Sequence, residues 1–271
     1  MRGSREKKGI PAASLAALAR TAAGAPWPGV LLIGIGTMAL RKLPAAQTRP
    51  RFLEAVQALW SAFLLSQTLR WAGESWPDSG SGVWIGLVLL LLAWWLARKG
   101  REALKAASGV LGILELGLLA AVLLGSLREI RWENLLPTGG WPDGWLLAVL
   151  LLPEAGRSGG ALWALPFSLV TAGVGCGGQN AFLEMSRSVS GIGSVRRLES
   201  LAAAGLTLGF FVLAAELLSQ ENAGDRTWST ALAAGLFLSG FCLNGWAAAL
   251  CAAAVWCFLP AICHRKDDNA G

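Results

Sequence analysis

The sequence predicts an all-α, polytopic helical membrane protein of about nine to ten transmembrane segments, and three observations carry that expectation. Hydrophobic residues make up 54% of the 271 and charged residues 15%, where an average soluble domain carries about 25% charged residues. Apolar runs long enough to span a bilayer recur along the whole length. The cations gather between those runs in short basic clusters, which stay on the cytoplasmic side because moving them across is unfavourable. That accounts for the formal net charge of +6 without a nucleic-acid partner. Tyr is absent while Trp is 14, so interfacial anchoring falls to tryptophan, and Trp27, Trp71, Trp76, Trp84, Trp132 and Trp141 lie near span ends.

Residues 1–25 comprise a basic head, Met1 to Lys8, and a degenerate first helix, Ile10 to Ala25. At about 16 residues with Arg20 inside it, that helix is marginal for crossing. A charged head before an Ala/Leu run also has the outline of a signal peptide. The transmembrane region is expected over 26–262. Pro26 to Leu43 is the first clear span, a crossing by the degenerate first helix giving ten in all, and the following loop holds Arg41, Lys42 and Arg49 with no acid, which marks it as cytoplasmic. Phe52 to Trp71 returns, with Glu54 at its mouth and Gln57 and Gln67 within it. The loop Gly73 to Gly82 carries Glu74 and Asp78 without a cation and is expected outside.

A hairpin follows. Val83 to Leu96 is nearly all Leu, Val and Trp, the turn Arg98-Lys99-Gly100-Arg101-Glu102 is cationic, and Ala106 to Leu127 is a second apolar arm. That arm's roughly 22 residues match the roughly 30 Å of a bilayer core at 1.5 Å per residue. Trp141 to Pro153 is too short for a regular span and reads as a broken or re-entrant helix, a form tolerated where protein or a polar cavity satisfies the free backbone groups. Ala161 to Met185 is expected to cross, kinked at Pro166. Ser186 to Ser200 is amphipathic and basic, Leu201 to Leu218 crosses, and Ser219 to Arg226 is a polar loop. The nearly uncharged run Trp228 to Ile262 is far longer than one crossing needs, so it is expected to turn back at Asn244-Gly245. Residues 263–271 form a tail that begins His264-Arg265-Lys266 and is expected in the cytoplasm.

In order and spacing these features resemble the spore-germination permeases, the B subunits of nutrient germinant receptors, in the amino acid–polyamine–organocation superfamily. The resemblance covers roughly residues 26–262. It is carried by Pro26-Trp27 with Arg41-Lys42-Leu43-Pro44, by Leu69-Arg70 with Trp76-Pro77, and by the basic turn at Arg98 to Glu102. Asn134-Leu135-Leu136-Pro137 and the block from Arg187 through Ser190-Gly191-Ile192-Gly193 to Arg197-Leu198-Glu199 complete it. The resemblance implies a LeuT-like fold of inverted five-helix repeats, with the first and sixth helices broken at the midplane where an amino acid would bind. Here those two helices are degenerate. It also implies other germinant-receptor subunits as partners.

Glu115 is the first candidate site residue, because an ionisable group at mid-bilayer depth is costly. It either binds an amine or relays a proton, or it is a protonated or hydrogen-bonded carboxyl buried between helices. Ser108-x-x-x-Gly112, just before it, is a small-xxx-small face where another helix approaches closely. Gly173 to Asn180 either unwinds to offer carbonyls and the Gln179 and Asn180 amides to a ligand, or ends a closely packed helix. Glu154, after Pro153, is the last candidate, its carboxylate near a cavity at the end of the broken helix. Arg187, Arg196 and Arg197 are expected to meet lipid headgroups or a partner subunit.

Several functions are set aside. With His264 as the one histidine, a His-based metal centre or a Ser/His/Asp triad within the membrane has no source. The five cysteines include no Cys-x-x-Cys pair and read as small hydrophobes. The glycines from Gly173 to Gly178 follow no strand and are not a nucleotide loop. No enzyme activity and no cofactor are expected. The expected function is nutrient sensing by a permease-like receptor subunit in the spore inner membrane. The alternatives are an amino acid transporter and a ligand-free scaffold derived from that fold.

Overall fold

One residue, Gly100, separates the two helices at the centre of the chain in this computed structural model, which describes residues 27–28, 30–31, 35, 51–76, 82–135, 164–176, 183–187, 198–219 and 223–240. Its φ of 99° and ψ of 171° belong to a region that glycine enters without penalty. The expected five-residue basic turn is therefore mostly helical, with its cations on the last turn of one helix and the first turns of the next.

Among the described residues all regular structure is helical. The helices are α1 (Arg51–Glu74), α2 (Gly82–Lys99), α3 (Arg101–Ser126), α4 (Ala164–Val174), α5 (Leu198–Ser219) and α6 (Ala223–Leu238). A 3-10 turn, Leu127–Glu129, prolongs α3, and another, Trp132–Leu135, follows it. Within the described residues three helical segments are long and apolar enough to cross a membrane: Gly82–Lys99, Arg101–Glu129 and Glu199–Ser219. The chain thus has the helices of a membrane protein by length and composition. Helix α1 is long enough, at 24 residues, but falls short of that apolarity. Its polar groups are covered by neighbouring helices and turn onto their own backbone: Ser66 Oγ donates to Phe63 O at 2.7 Å and Thr68 Oγ1 to Leu64 O at 2.8 Å.

Helix α5 is the centre of the packing. About 72% of its apolar window is buried, against 28% for α2 and for α3, because α1, α2 and α3 all pack along it. One apolar core joins Leu65 and Leu69 of α1, Leu90 and Ala93 of α2, and Val212 and Leu213 of α5. A second joins Leu119 and Val122 of α3 to Ala202 and Ala203 of α5. Leu104 shares the first core with Leu217 and Leu218, so α3 and α5 run antiparallel.

Polar contacts mark the two ends of the assembly. At one end the Arg226 guanidinium donates from Nε to Leu218 O at 3.0 Å and from Nη1 to Ala97 O at 3.3 Å. These are terminal carbonyls of α5 and α2, where a cation is favoured by the helix dipole. At the other end Arg70 Nη2 donates to Gly240 O at 3.3 Å, and the backbones of Gly73 and Gly82 meet so closely that a Cβ on Gly73 would stand 2.7 Å from Gly82 O.

Two expectations change. The span expected over Ala161 to Met185 is interrupted: α4 ends at Val174, and Gly175 takes φ 79°. Gly175 N donates to Ala172 O at 2.9 Å and Cys176 N to Thr171 O at 3.2 Å, a local glycine cap, while Arg131 N at 2.8 Å and Asn134 Nδ2 at 3.1 Å take the Gly173 carbonyl beside it. Pro166, where a kink is expected, is the third residue of the described part of α4, and residues 161–163 before it lie outside the described residues. The supposed polar loop at Ser219 to Arg226 is partly helix, since α6 begins at Ala223. That helix ends at Leu238, and Gly240 just beyond it, with φ of 66° and an N–H bond to Phe237 O at 3.2 Å, forms a glycine cap. Asn244-Gly245, the first helix, the segment 141–153 and the tail lie outside the described residues, as do the side chains of Glu54 and Gln57.

Helix α6 seats on α2 through a glycine. A Cβ on Gly86 would lie 2.9 Å from Phe237 Cε1, so Gly86→Val has to displace the ring. It is expected to destabilise the protein by about 2 kcal/mol, read as a lowered unfolding midpoint in detergent, with the smaller Gly86→Ala falling between.

Candidate functional site

Beyond its charged first turns, helix α3 turns its polar residues inward. Leu104, Ser108, Gly112, Glu115, Leu119, Val122 and Ser126 are its buried residues, and their spacing of three or four draws one stripe along the helix. The opposite face is hydrocarbon: Val110 is 73% exposed and Ile113 77%, with Leu114, Leu116 and Leu124 beside them. In water this arrangement would be upside down. In a bilayer it is the stable one, because lipid tails solvate the aliphatic face while polar groups need protein around them.

The expected candidate Glu115 lies on this stripe and is 4% exposed. It is held between helices, away from the lipid-facing side. Gly112 is buried on the same stripe, one turn earlier. Leu118 touches the space in front of Gly205 of α5, its Cδ1 being 2.7 Å from where a Cβ would be. Because the two helices run antiparallel, Glu115 comes to the level of Leu208, near the middle of α5. It also falls between the two apolar cores: Leu111 packs on one, Leu119 belongs to the other, and Phe167 and Leu206 reach both. Neither carboxylate oxygen accepts a hydrogen bond among the described residues. A buried carboxylate keeps its charge only with donors or a cation, which a small partner bearing a positive N–H group would supply on binding.

The other expected residues do not join it. Gln179, Asn180 and Glu154 lie outside the described residues. The Gly173 carbonyl, the first that an unwound segment would offer, is engaged by Arg131 and Asn134, and a Cβ on Gly173 would lie 2.8 Å from Ile130 Cγ2. Arg187, expected to meet lipid or a partner, pairs with Glu199 at 2.7 Å and links the helical piece 183–187 to the start of α5. The pair is exposed, so its contribution to stability is small. Arg196 and Arg197 lie outside the described residues. Among the described residues no cluster of three His, Cys, Asp or Glu could hold a metal.

Two residues matter more than the sequence suggested. Glu216 is a second buried carboxylate, 6% exposed, within the apolar run of α5. The signal was the one that singled out Glu115, an acid among Leu and Ala, but it lies a turn from the end of the run, where charged groups ordinarily reach water. Arg226 is the other, holding two helix ends. Away from both, Trp76 Nε1 donates to Thr207 Oγ1 at 2.9 Å, which ties the end of α1 to the middle of α5.

Comparison of the chain with family models, curated proteins and solved structures finds no match.

Proposed function

We propose that this chain is a permease-like subunit of a spore germinant receptor in the inner membrane, binding a small nutrient such as an amino acid by its ammonium group at Glu115. The observation that carries the binding site is a carboxylate 4% exposed, in the middle of a helix otherwise apolar on its outer face, with neither oxygen hydrogen-bonded among the described residues. An ammonium ion offers three donors to such a group. The buried Ser108 and Gly112 on the same stripe keep that side of α3 narrow. The receptor role rests on the order of motifs, from Pro26-Trp27 to Arg197-Leu198-Glu199. The same proposal includes the inverted-repeat fold with degenerate first and sixth helices, ten crossings, a cytoplasmic C-terminus and companion receptor subunits.

Thermal unfolding of the purified chain in detergent tests the site. With one member of an amino acid panel at about 100 times its dissociation constant, stability should rise by about 2.7 kcal/mol, a shift of several degrees. The deaminated analogue of that amino acid should give none. If no amine in the panel moves the midpoint, the ligand-free scaffold replaces the sensor.

A further inference from the structure

The turn between α2 and α3 carries a surface that the nutrient site does not use. Arg98, Lys99, Arg101 and Lys105 are all exposed there, with Glu102 the one acid among residues 98–105. Two of these cations are held in place. The Arg98 guanidinium carbon lies 4.7 Å from the centroid of a Trp94 ring, and Lys99 Nζ lies 5.1 Å from that of Trp95. Each cation therefore folds back over the indole one turn behind it, an attraction between positive charge and the ring face.

Beneath those rings runs an apolar strip. Trp84, Val88, Leu91 and Trp95 lie along one side of α2, with Leu91 65% and Trp95 55% exposed, spaced so that they share a face. Indole rings prefer the boundary between headgroups and acyl chains. Trp94 and Trp95 at that depth put the Arg98 and Lys99 charges at the level of lipid phosphates, with aliphatic side chains below for the tails.

We propose that the α2–α3 turn binds an anionic phospholipid, its phosphate taken by Arg98 and Lys99 above the tryptophans, with Arg101 and Lys105 adding positive field, and its acyl chain lying along the exposed strip of α2. The apolar strip alone would accept any lipid. Four cations against one carboxylate select a headgroup with net negative charge over a zwitterionic one. This inference does not depend on Glu115 binding anything.

The test is native mass spectrometry of the full chain released from mixed micelles containing equal amounts of phosphatidylglycerol and phosphatidylcholine. At least one phosphatidylglycerol should be retained preferentially. That preference should fall roughly tenfold in Arg98→Gln/Lys99→Gln, and fall also in Arg101→Gln/Lys105→Gln. It should survive the charge-preserving Arg98→Lys/Lys99→Arg and the distant Arg187→Gln. Trp95→Ala, which keeps every charge but removes a ring, should shorten retention of the lipid. Equal retention of the two lipids by the unaltered chain overturns the proposal, as does undiminished preference in the Arg98→Gln/Lys99→Gln variant with circular dichroism unchanged. If that variant loses its helicity, the Arg101→Gln/Lys105→Gln pair decides.

Discussion

Glu115→Gln is expected to weaken binding of the stabilising amino acid about 30-fold or more. Removing one partner of a buried, hydrogen-bonded charge pair costs about 2–5 kcal/mol, and about 1.4 kcal/mol is a factor of ten. Glutamine nearly preserves the volume and one acceptor oxygen, so the ligand-free fold should persist. Its unfolding midpoint should stay within a few degrees of the parent, since glutamine fills the space of a group 4% exposed without gaining bulk. The measurement is a ligand titration of the unfolding midpoint, run in parallel on parent and variant. A variant that responds to the amino acid at the parent's concentrations would remove Glu115 from the site while leaving the helical architecture untouched. Glu115→Asp, which keeps the charge and withdraws it by one methylene, should fall between.

Arg226→Leu is expected to cost about 3 kcal/mol of stability without touching that site. The side chain donates to Leu218 O and Ala97 O, and hydrogen bonds involving a charged group contribute about 1.5–3 kcal/mol each. The two acceptors lie at the ends of α5 and α2, so the loss should appear as a lower unfolding midpoint and as faster amide exchange at the C-terminal turn of α2. Arg226→Lys keeps the charge but cannot fork between two carbonyls, and should recover part of the loss. If Arg226→Leu unfolds at the parent's midpoint, the two carbonyls find other partners and Arg226 does not hold the helices together.

Much of this fold is legible in the sequence because lipid demands long, uninterrupted apolar segments. The hairpin of α2 and α3 stands out from composition, and Glu115 stands out because leucine and valine surround it. What escaped is long-range. The end of α4 itself is local, a glycine cap at Gly175 with Gly175 N donating to Ala172 O and Cys176 N to Thr171 O, but that Arg131 and Asn134, about forty residues earlier, take the Gly173 carbonyl is recorded in no local pattern. Arg226 looked like one more charge in a polar loop, because its partners are backbone oxygens, one of them 129 residues away. Helix α1 has the length of a membrane span, while its buried Ser66 and Thr68 are tolerable because they bond their own backbone and α2, α5 and α6 pack on the helix. Of the expected site, Glu115 and Gly112 share the buried stripe of α3, and the remaining candidates lie outside the described residues.

The central position of α5 has a consequence for biogenesis. The mast on which the earlier helices lean is made roughly 70 residues after α3 is finished, which at about 5–20 residues per second leaves an interval of about 4–14 seconds. During it the nascent hairpin waits in the translocation machinery with Ser108 and Glu115 unshielded. An insertase or chaperone that shelters polar faces of half-built membrane proteins should therefore crosslink to α3 in ribosome-stalled chains ending before residue 198, and release it once α5 has emerged.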